Sequence, residues 1–238
     1  MISLERQCDS PLPRVHEGKY VIHNSVAHKV VAWLQGRCWP DREFPAGIVA
    51  SIYYDSRDWR FLGEKINSDY MKTKVRVRWY QDINTKEPLD ASFMEVKYKT
   101  GGIRRKIRVK TPHSGAWLCE TELNDPKLMA LPDLLKLGEV FLQGPLFPVF
   151  QISYKRRRFV DPVSGLRLSI DYDIHVPRVN PAMVPRFNSA NLNSAVFETK
   201  GGNSRLPEPL HQLTALGCRK QSFSKYSMGY QKIMRTDF

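Results

Sequence analysis

The segment Lys74-Val-Arg-Val-Arg-Trp-Tyr80 alternates cationic and apolar residues with a period of two. That period is the strongest constraint on the fold. Side chains on a strand point to opposite faces in turn, so residues two apart share one face. Lys74, Arg76 and Arg78 therefore project together, and Val75, Val77 and Trp79 project the other way. The arrangement recurs along the chain. Arg104, Lys106 and Arg108 share a face, as do Glu95, Lys97 and Lys99, opposed to Met94, Val96 and Tyr98. Tyr154, Arg156 and Arg158 form another row. Arg167, Ser169 and Asp171 form a further one, backed by Leu166, Leu168 and Ile170, and Glu17 and Lys19 make a short row near the start.

Reading this period through the whole chain predicts strands over 18–23, 52–56, 74–80, 93–99, 104–110, 150–159, 166–174 and 195–200. Helical periodicity is sparser. Asn24 or Ser25 caps an expected helix to about Gln35, with Val26, Val30, Val31 and Leu34 on one stripe. Asp125-Pro126 opens a Leu-rich helix expected to reach about Val140. A third helix is expected over 209–216, ending at Gly217, and the Pro- and Asn-rich stretch 177–193 reads as a surface loop. A faint internal echo repeats helix, basic strand and Glu-x-Lys strand into Gly-Gly. It occurs at Glu95-Val-Lys97 before Gly101-Gly102 and at Glu198-Thr-Lys200 before Gly201-Gly202. Two such halves build one continuous antiparallel sheet, and closing it removes the exposed edges. The fold class read from the sequence is α+β: a single domain over 1–238, a wide eight-stranded antiparallel barrel of two pseudo-repeated halves with a few flanking helices.

A polar row is ordinarily the solvated face of an antiparallel sheet. Here the rows are dominated by one sign. Like charges about 7 Å apart repel by about 1–2 kcal/mol at an effective dielectric of 20 to 40, so several rows facing one another require an anion between them. The whole chain agrees, with 37 Lys and Arg against 24 Asp and Glu for a net charge of +13. Such an excess points to nucleic acid, a membrane surface or a polyphosphate. The four cysteines are widely separated and the six histidines lack metal-ligand spacing, so neither a zinc site nor a disulfide framework is expected. A P-loop, a nucleophile elbow and a dinucleotide fingerprint are all missing. With no run near the roughly 20 apolar residues of a membrane span, the expectation is a soluble cytoplasmic protein, attached to a membrane only through a separate partner protein.

The segments Glu17-Gly-Lys-Tyr20, Tyr53-Tyr-Asp-Ser56, Lys74 to Tyr80, Phe93-Met-Glu-Val-Lys97, Ser153-Tyr-Lys-Arg156, Leu166 to Asp171, Phe197-Glu-Thr-Lys200 and Ser222-Phe-Ser-Lys-Tyr226 occur in an order that resembles one family. It is the catalytic domain of the vacuolar transporter chaperone type, the polyphosphate polymerase branch of the triphosphate tunnel metalloenzymes. The resemblance spans nearly the whole chain. It implies that Lys19, Arg76, Arg78, Lys97, Arg156, Arg167 and Lys225 act on the phosphates during transfer. By the same resemblance, Lys74, Arg104, Lys106, Tyr154, Lys200 and Ser224 bind phosphate or nucleotide. Glu198 is the implied ligand for Mn2+ or Mg2+, with Glu95, Glu17 and Asp171 as alternatives. The implied reaction moves the γ-phosphoryl group of ATP onto inorganic polyphosphate, and no nucleic-acid partner is expected. Hydrolytic relatives usually begin with Glu-x-Glu-x-Lys, whereas this chain has His16-Glu-Gly-Lys19, which favours polymerase over triphosphatase. A triphosphatase using the same tunnel and a non-catalytic polyphosphate-binding module are the rival functions.

Overall fold

The computed structural model describes residues 16–101, 103–136, 144–185, 187, 189–201 and 206–234. Its strands are β1 (His16–His23), β2 (Trp39–Pro40), β3 (Ala46–Asp55), β4 (Met71–Gln81), β5 (Pro88–Thr100), β6 (Ile103–Lys110), β7 (Phe147–Val160), β8 (Arg167–Val176), β9 (Ala190–Asn191), β10 (Ser194–Gly201) and β11 (Arg219–Lys220). All eight expected strands are present, though β3 begins at Ala46 and β5 at Pro88, six and five residues before the expected starts. The alternating pattern also set their faces correctly, since Val75, Val77, Trp79, Met94 and Val96 are fully buried on the side away from the cations. The three additional strands are two-residue pairings, too short to carry a period.

These strands form one antiparallel sheet in the order β11-β1-β10-β8-β7-β3-β4-β5-β6, with β2 paired to β7 and β9 to β8. The order is symmetric about the central β7–β3 pair: β8 mirrors β4, and β10, with Glu198 and Lys200, mirrors β5, with Glu95 and Lys97. The sequence echo is this symmetry. The sheet is not a closed eight-stranded barrel. Beyond β10, the other edge of β1 is already taken by β11 at Tyr20 and Val21 and by the Gln221 amide, which donates to the Lys19 carbonyl. From Lys19 to Val21, β6 therefore finds no free partner on that edge. The sheet still curls far enough for its two ends to meet through side chains, Arg104 of β6 lying 3.8 Å from Glu17 of β1.

Among the described residues five α-helices accompany the sheet: α1 (Ala27–Gln35), α2 (Arg60–Ile66), α3 (Gly115–Glu120), α4 (Pro126–Met129) and α5 (Lys225–Met234). The first expected helix is a 3-10 turn over Asn24–Val26 running into α1, whose Val30, Val31 and Leu34 pack on the outer face of β8 and β10. The expected Leu-rich helix is broken. α4 ends at Met129 and a 3-10 turn follows over Leu131–Leu135. Pro132 has no amide hydrogen and disfavours the helical conformation at the residue before it. The remainder of that expectation, 137–140, lies outside the described residues. The third helix is a 3-10 segment, Glu208–Leu216, stopped as expected by Gly217 at φ 83°. Within the 177–193 loop, the expectation of an irregular surface segment misses a short pairing at β9. It also misses Asn180, which is buried and donates its amide to the carbonyls of Leu123 and Pro148.

Candidate functional site

The concave face of the sheet has two parts. One is apolar and covered by α5: Tyr226 stacks on Tyr53 at 5.0 Å and on Phe150 at 5.2 Å, and Val49, Ile152, Tyr154, Ile174 and Val196 belong to the same cluster. Gly229 brings the helix so close to β7 that an added Cβ would stand 3.2 Å from Phe150 and 3.3 Å from Ile152. The Tyr226 hydroxyl donates to buried Asp55 at 2.6 Å, and Asp55 also accepts the amides of Phe61 and Leu62 at the start of α2. α5 is thus anchored to the inside of the sheet, and its first residue, Lys225, is delivered to the second part of the concave face, which is charged.

That charged part is organised around carboxylates at mirrored places. Glu95 on β5 is 1% exposed and is surrounded by Arg76 at 2.7 Å, Lys106 at 2.7 Å, Arg108 at 3.5 Å and Arg78 at 4.0 Å. Burial alone would raise its pKa, but Arg76, Arg78 and Lys106 outweigh that and hold it far below the usual carboxylate range. In the other half Asp171 is fully buried. It takes a two-pronged contact from Arg156 at 2.5 and 2.6 Å and an ion pair from Lys225 at 2.6 Å. Glu198 stands beside it with looser partners: Lys19 at 3.6 Å, Lys225 at 3.9 Å and Arg156 at 4.0 Å. Both acids are pulled below their ordinary pKa, because their cations overcome the effect of burial.

Further contacts of the cations on this face are to groups that are not carboxylates. Lys74 donates to Ser224 Oγ at 3.0 Å, and Arg78 donates to Ser51 Oγ at 2.9 Å and to the Tyr154 hydroxyl at 3.3 Å. Burial, with Lys19 and Arg76 close by, lowers the Lys74 pKa to about 7. Lys97 retains contact with solvent, yet crowding by protein, together with Arg76 and Lys200, also brings it to about 7. The effect of Lys200 on Lys97 joins β10 to β5 across the concavity. An ammonium with a pKa so near neutrality is one whose charge is insufficiently compensated, and an anion would restore it.

Residues 14–234 match the family model described as the VTC domain. The chain belongs to this family. Among solved structures it is similar to a putative adenylate cyclase from Bacillus halodurans, at 11% identity and a TM-score of 0.49, over 88% of this chain and 95% of that one. No curated protein sequence matches it. VTC-domain membership supports a polyphosphate-related function for the chain. Among the described residues no helix is long and apolar enough to cross a membrane.

Within this VTC domain, most residues singled out from the sequence lie on the concave face: Lys19, Lys74, Arg76, Arg78, Lys97, Lys106, Tyr154, Arg156, Ser224 and Lys225, with Glu17, Glu95, Asp171 and Glu198. Arg104, Arg167 and Lys200 are more peripheral. Arg104 is more than half exposed, and Arg167 begins β8 opposite Lys200, exposed to solvent. The sequence reading gave too little weight to Arg108 and Arg158, although both sit in the recognised period-two rows. It also missed Tyr53, whose hydroxyl accepts from Arg76 at 3.4 Å. Among the described residues no group of three His, Cys, Asp or Glu side chains is placed to hold a metal ion. Both oxygens of Asp171 are engaged by Arg156 and Lys225, so the carboxylates with room for a cation are Glu198, whose partners stand at 3.6 to 4.0 Å, and Glu17, whose partners stand at 3.5 and 3.8 Å. Hard oxygens of this kind suit Mg2+ or Mn2+ when the remaining ligands are substrate phosphates, since Mg2+ is commonly held by one or two carboxylates plus phosphate. Glu95, with four cations around it, offers no comparable vacancy for a cation.

Proposed function

We propose that this VTC domain is a polyphosphate polymerase that transfers the γ-phosphoryl group of ATP to the end of an inorganic polyphosphate chain. The observation that carries this reading is the surplus of cations over the four carboxylates Glu17, Glu95, Asp171 and Glu198 on one concave face, including Lys74 and Lys97 with pKa values about 7. Phosphoryl transfer is catalysed chiefly by positioning and charge stabilisation, so the missing Ser-His or Cys-His dyad is no obstacle. In this reading Arg156 and Tyr154 orient the γ-phosphate, and Lys19 and Lys225 offset charge on the β–γ bridge. A terminal oxygen of the chain, already anionic near neutral pH, forms the new P–O bond while the bond from the β–γ bridging oxygen to γ-phosphorus breaks, leaving ADP. Glu198 would hold the divalent ion, which when bound would draw charge from the phosphate oxygens. Arg76, Arg78, Lys74 and Lys97 would retain the successive phosphates of the product.

The test is to incubate the purified chain with ATP and Mn2+ and to separate the products by phosphate chain length. ADP appearing together with acid-stable chains supports the polymerase. Orthophosphate released at the rate of ATP loss would assign the site to a triphosphatase instead. Binding of long polyphosphate without turnover of any triphosphate, with any divalent ion, would leave a binding module. Charge reversal by Arg156→Glu should abolish both binding and turnover, since Asp171 and Glu198 would then face a third carboxylate with only Lys225 and Lys19 left to offset them.

A further inference from the structure

Three features coincide at one edge of the concave face. The first is Trp39, 61% exposed on β2. β2 pairs with the far end of β7, Trp39 opposite Val160 and Pro40 opposite Phe159. Directly opposed residues of an antiparallel pair point to the same side of the sheet. Val160 alternates in phase with Tyr154, Arg156 and Arg158, so Trp39 continues their concave face past its rim. The second feature is an open surface hollow of about 420 Å³ at this point, bounded by Trp39, Pro40, Asp41, Arg42, Glu43 and Val160. The third is its attachment to the cation row. Arg158 donates Nη1 to the Phe44 carbonyl at 3.0 Å, and its own carbonyl accepts the Asp41 amide at 3.0 Å.

A single exposed Trp needs no explanation by itself. An exposed Trp walling a hollow that opens beside a row of phosphate-binding character does. Asp41 and Glu43 outnumber Arg42 and disfavour a phosphate in this hollow, whereas an uncharged aromatic group meets a π-face, the apolar Val160 and Pro40, and Glu43 as an acceptor for an exocyclic amine. Four residues of strand separate Val160 from Arg156, roughly 13 Å, about the reach of an extended nucleoside triphosphate from base to terminal phosphate. We propose that the hollow at Trp39 is the nucleobase subsite of the donor: the base stacks on Trp39 and the triphosphate runs past Arg158 to Arg156. The inference rests on the reading of the concave face as a triphosphate site and deepens it. A donor nucleotide and an inorganic polyphosphate are thereby distinguished at the rim, because only the nucleotide has a group to place there.

The experiment compares calorimetric binding of two probes in the presence of Mg2+: the β,γ-imido analogue of ATP, which does not turn over, and inorganic tripolyphosphate. Trp39→Ala should weaken the nucleotide analogue about tenfold, the scale of one base–aromatic stack, and leave tripolyphosphate within about twofold of wild type. Trp39→Phe should recover most of the nucleotide affinity. Unchanged tripolyphosphate binding also reports that the variant is folded. Equal loss for both probes, or no loss for the nucleotide analogue, overturns the base subsite while the triphosphate reading stands. A wild-type chain that binds neither probe removes that reading, and the subsite with it.

Discussion

Replacing Glu95 by Gln tests whether the concave face is built around an anion it does not itself supply. Glu95 has two cationic side chains at 2.7 Å and two more within 4.0 Å. At an effective dielectric of about 20, each of the close contacts is worth roughly 6 kcal/mol in gross Coulomb terms. Desolvation of the charges offsets most of this, and removing one member of a buried ion pair is observed to cost about 3–5 kcal/mol because the other charge is left uncompensated. Against a total stability of about 5–15 kcal/mol, Glu95→Gln should lower the urea midpoint severely without changing the slope. Tripolyphosphate should then replace the missing charge. At a hundred times its Kd a ligand stabilises by about 2.7 kcal/mol, and the variant, with one fewer competing carboxylate, should bind more tightly and gain more than wild type. The pH dependence has a definite sign. The folded-state pKa of Glu95 is depressed, so its contribution is complete above the unfolded value of about 4.3 and is lost as pH falls through and below that value. Glu95→Gln should lack this acid-dependent part. A loss under about 1 kcal/mol, or a ligand-induced gain equal to that of wild type, would refute the reasoning.

Glu198→Gln should keep the fold, since the partners of Glu198 lie at 3.6 to 4.0 Å, but weaken Mn2+ binding in the presence of tripolyphosphate by at least about tenfold, read by the free-ion signal in electron paramagnetic resonance. Unaltered Mn2+ affinity would move the ligand to Glu17 or Asp171. Lys74 and Lys97, at about 7, are partly neutral at pH 8, and an incoming polyphosphate should recharge them. Calorimetry in buffers of different ionisation enthalpy should therefore show proton uptake on binding at pH 8, reduced in Lys74→Arg; no uptake would mean that neither ammonium meets the ligand. Because the folded-state pKa of each lysine lies below its unfolded value of about 10.4, the ligand-free protein should gain stability from both as pH rises from about 7 to 10.

The sequence by itself determined the eight long strands, their faces and the cationic character of one face, because period-two alternation is a local property that backbone geometry converts directly into sidedness. The sequence echo likewise disclosed the two mirrored halves, and the ordered motifs identified the family. Three matters were decided only in three dimensions. Closure failed because the 219–221 segment, distant in sequence, occupies the edge of β1 from Lys19 to Val21 that a barrel would require. α5 was not read as a helix, although Ser224 precedes it and Tyr226, Tyr230 and Ile233 fall at helical spacing; what holds it is burial against β7 and the bond from Tyr226 to Asp55. The pairing of charges was likewise not legible. Glu95, Asp171 and Glu198 resemble one another in sequence, yet one is saturated by four cations, one is locked to Arg156 and Lys225, and one keeps looser partners. Which cation reaches which carboxylate depends on the curl of the sheet and on where α5 enters it, and no strand carries that information in its own period.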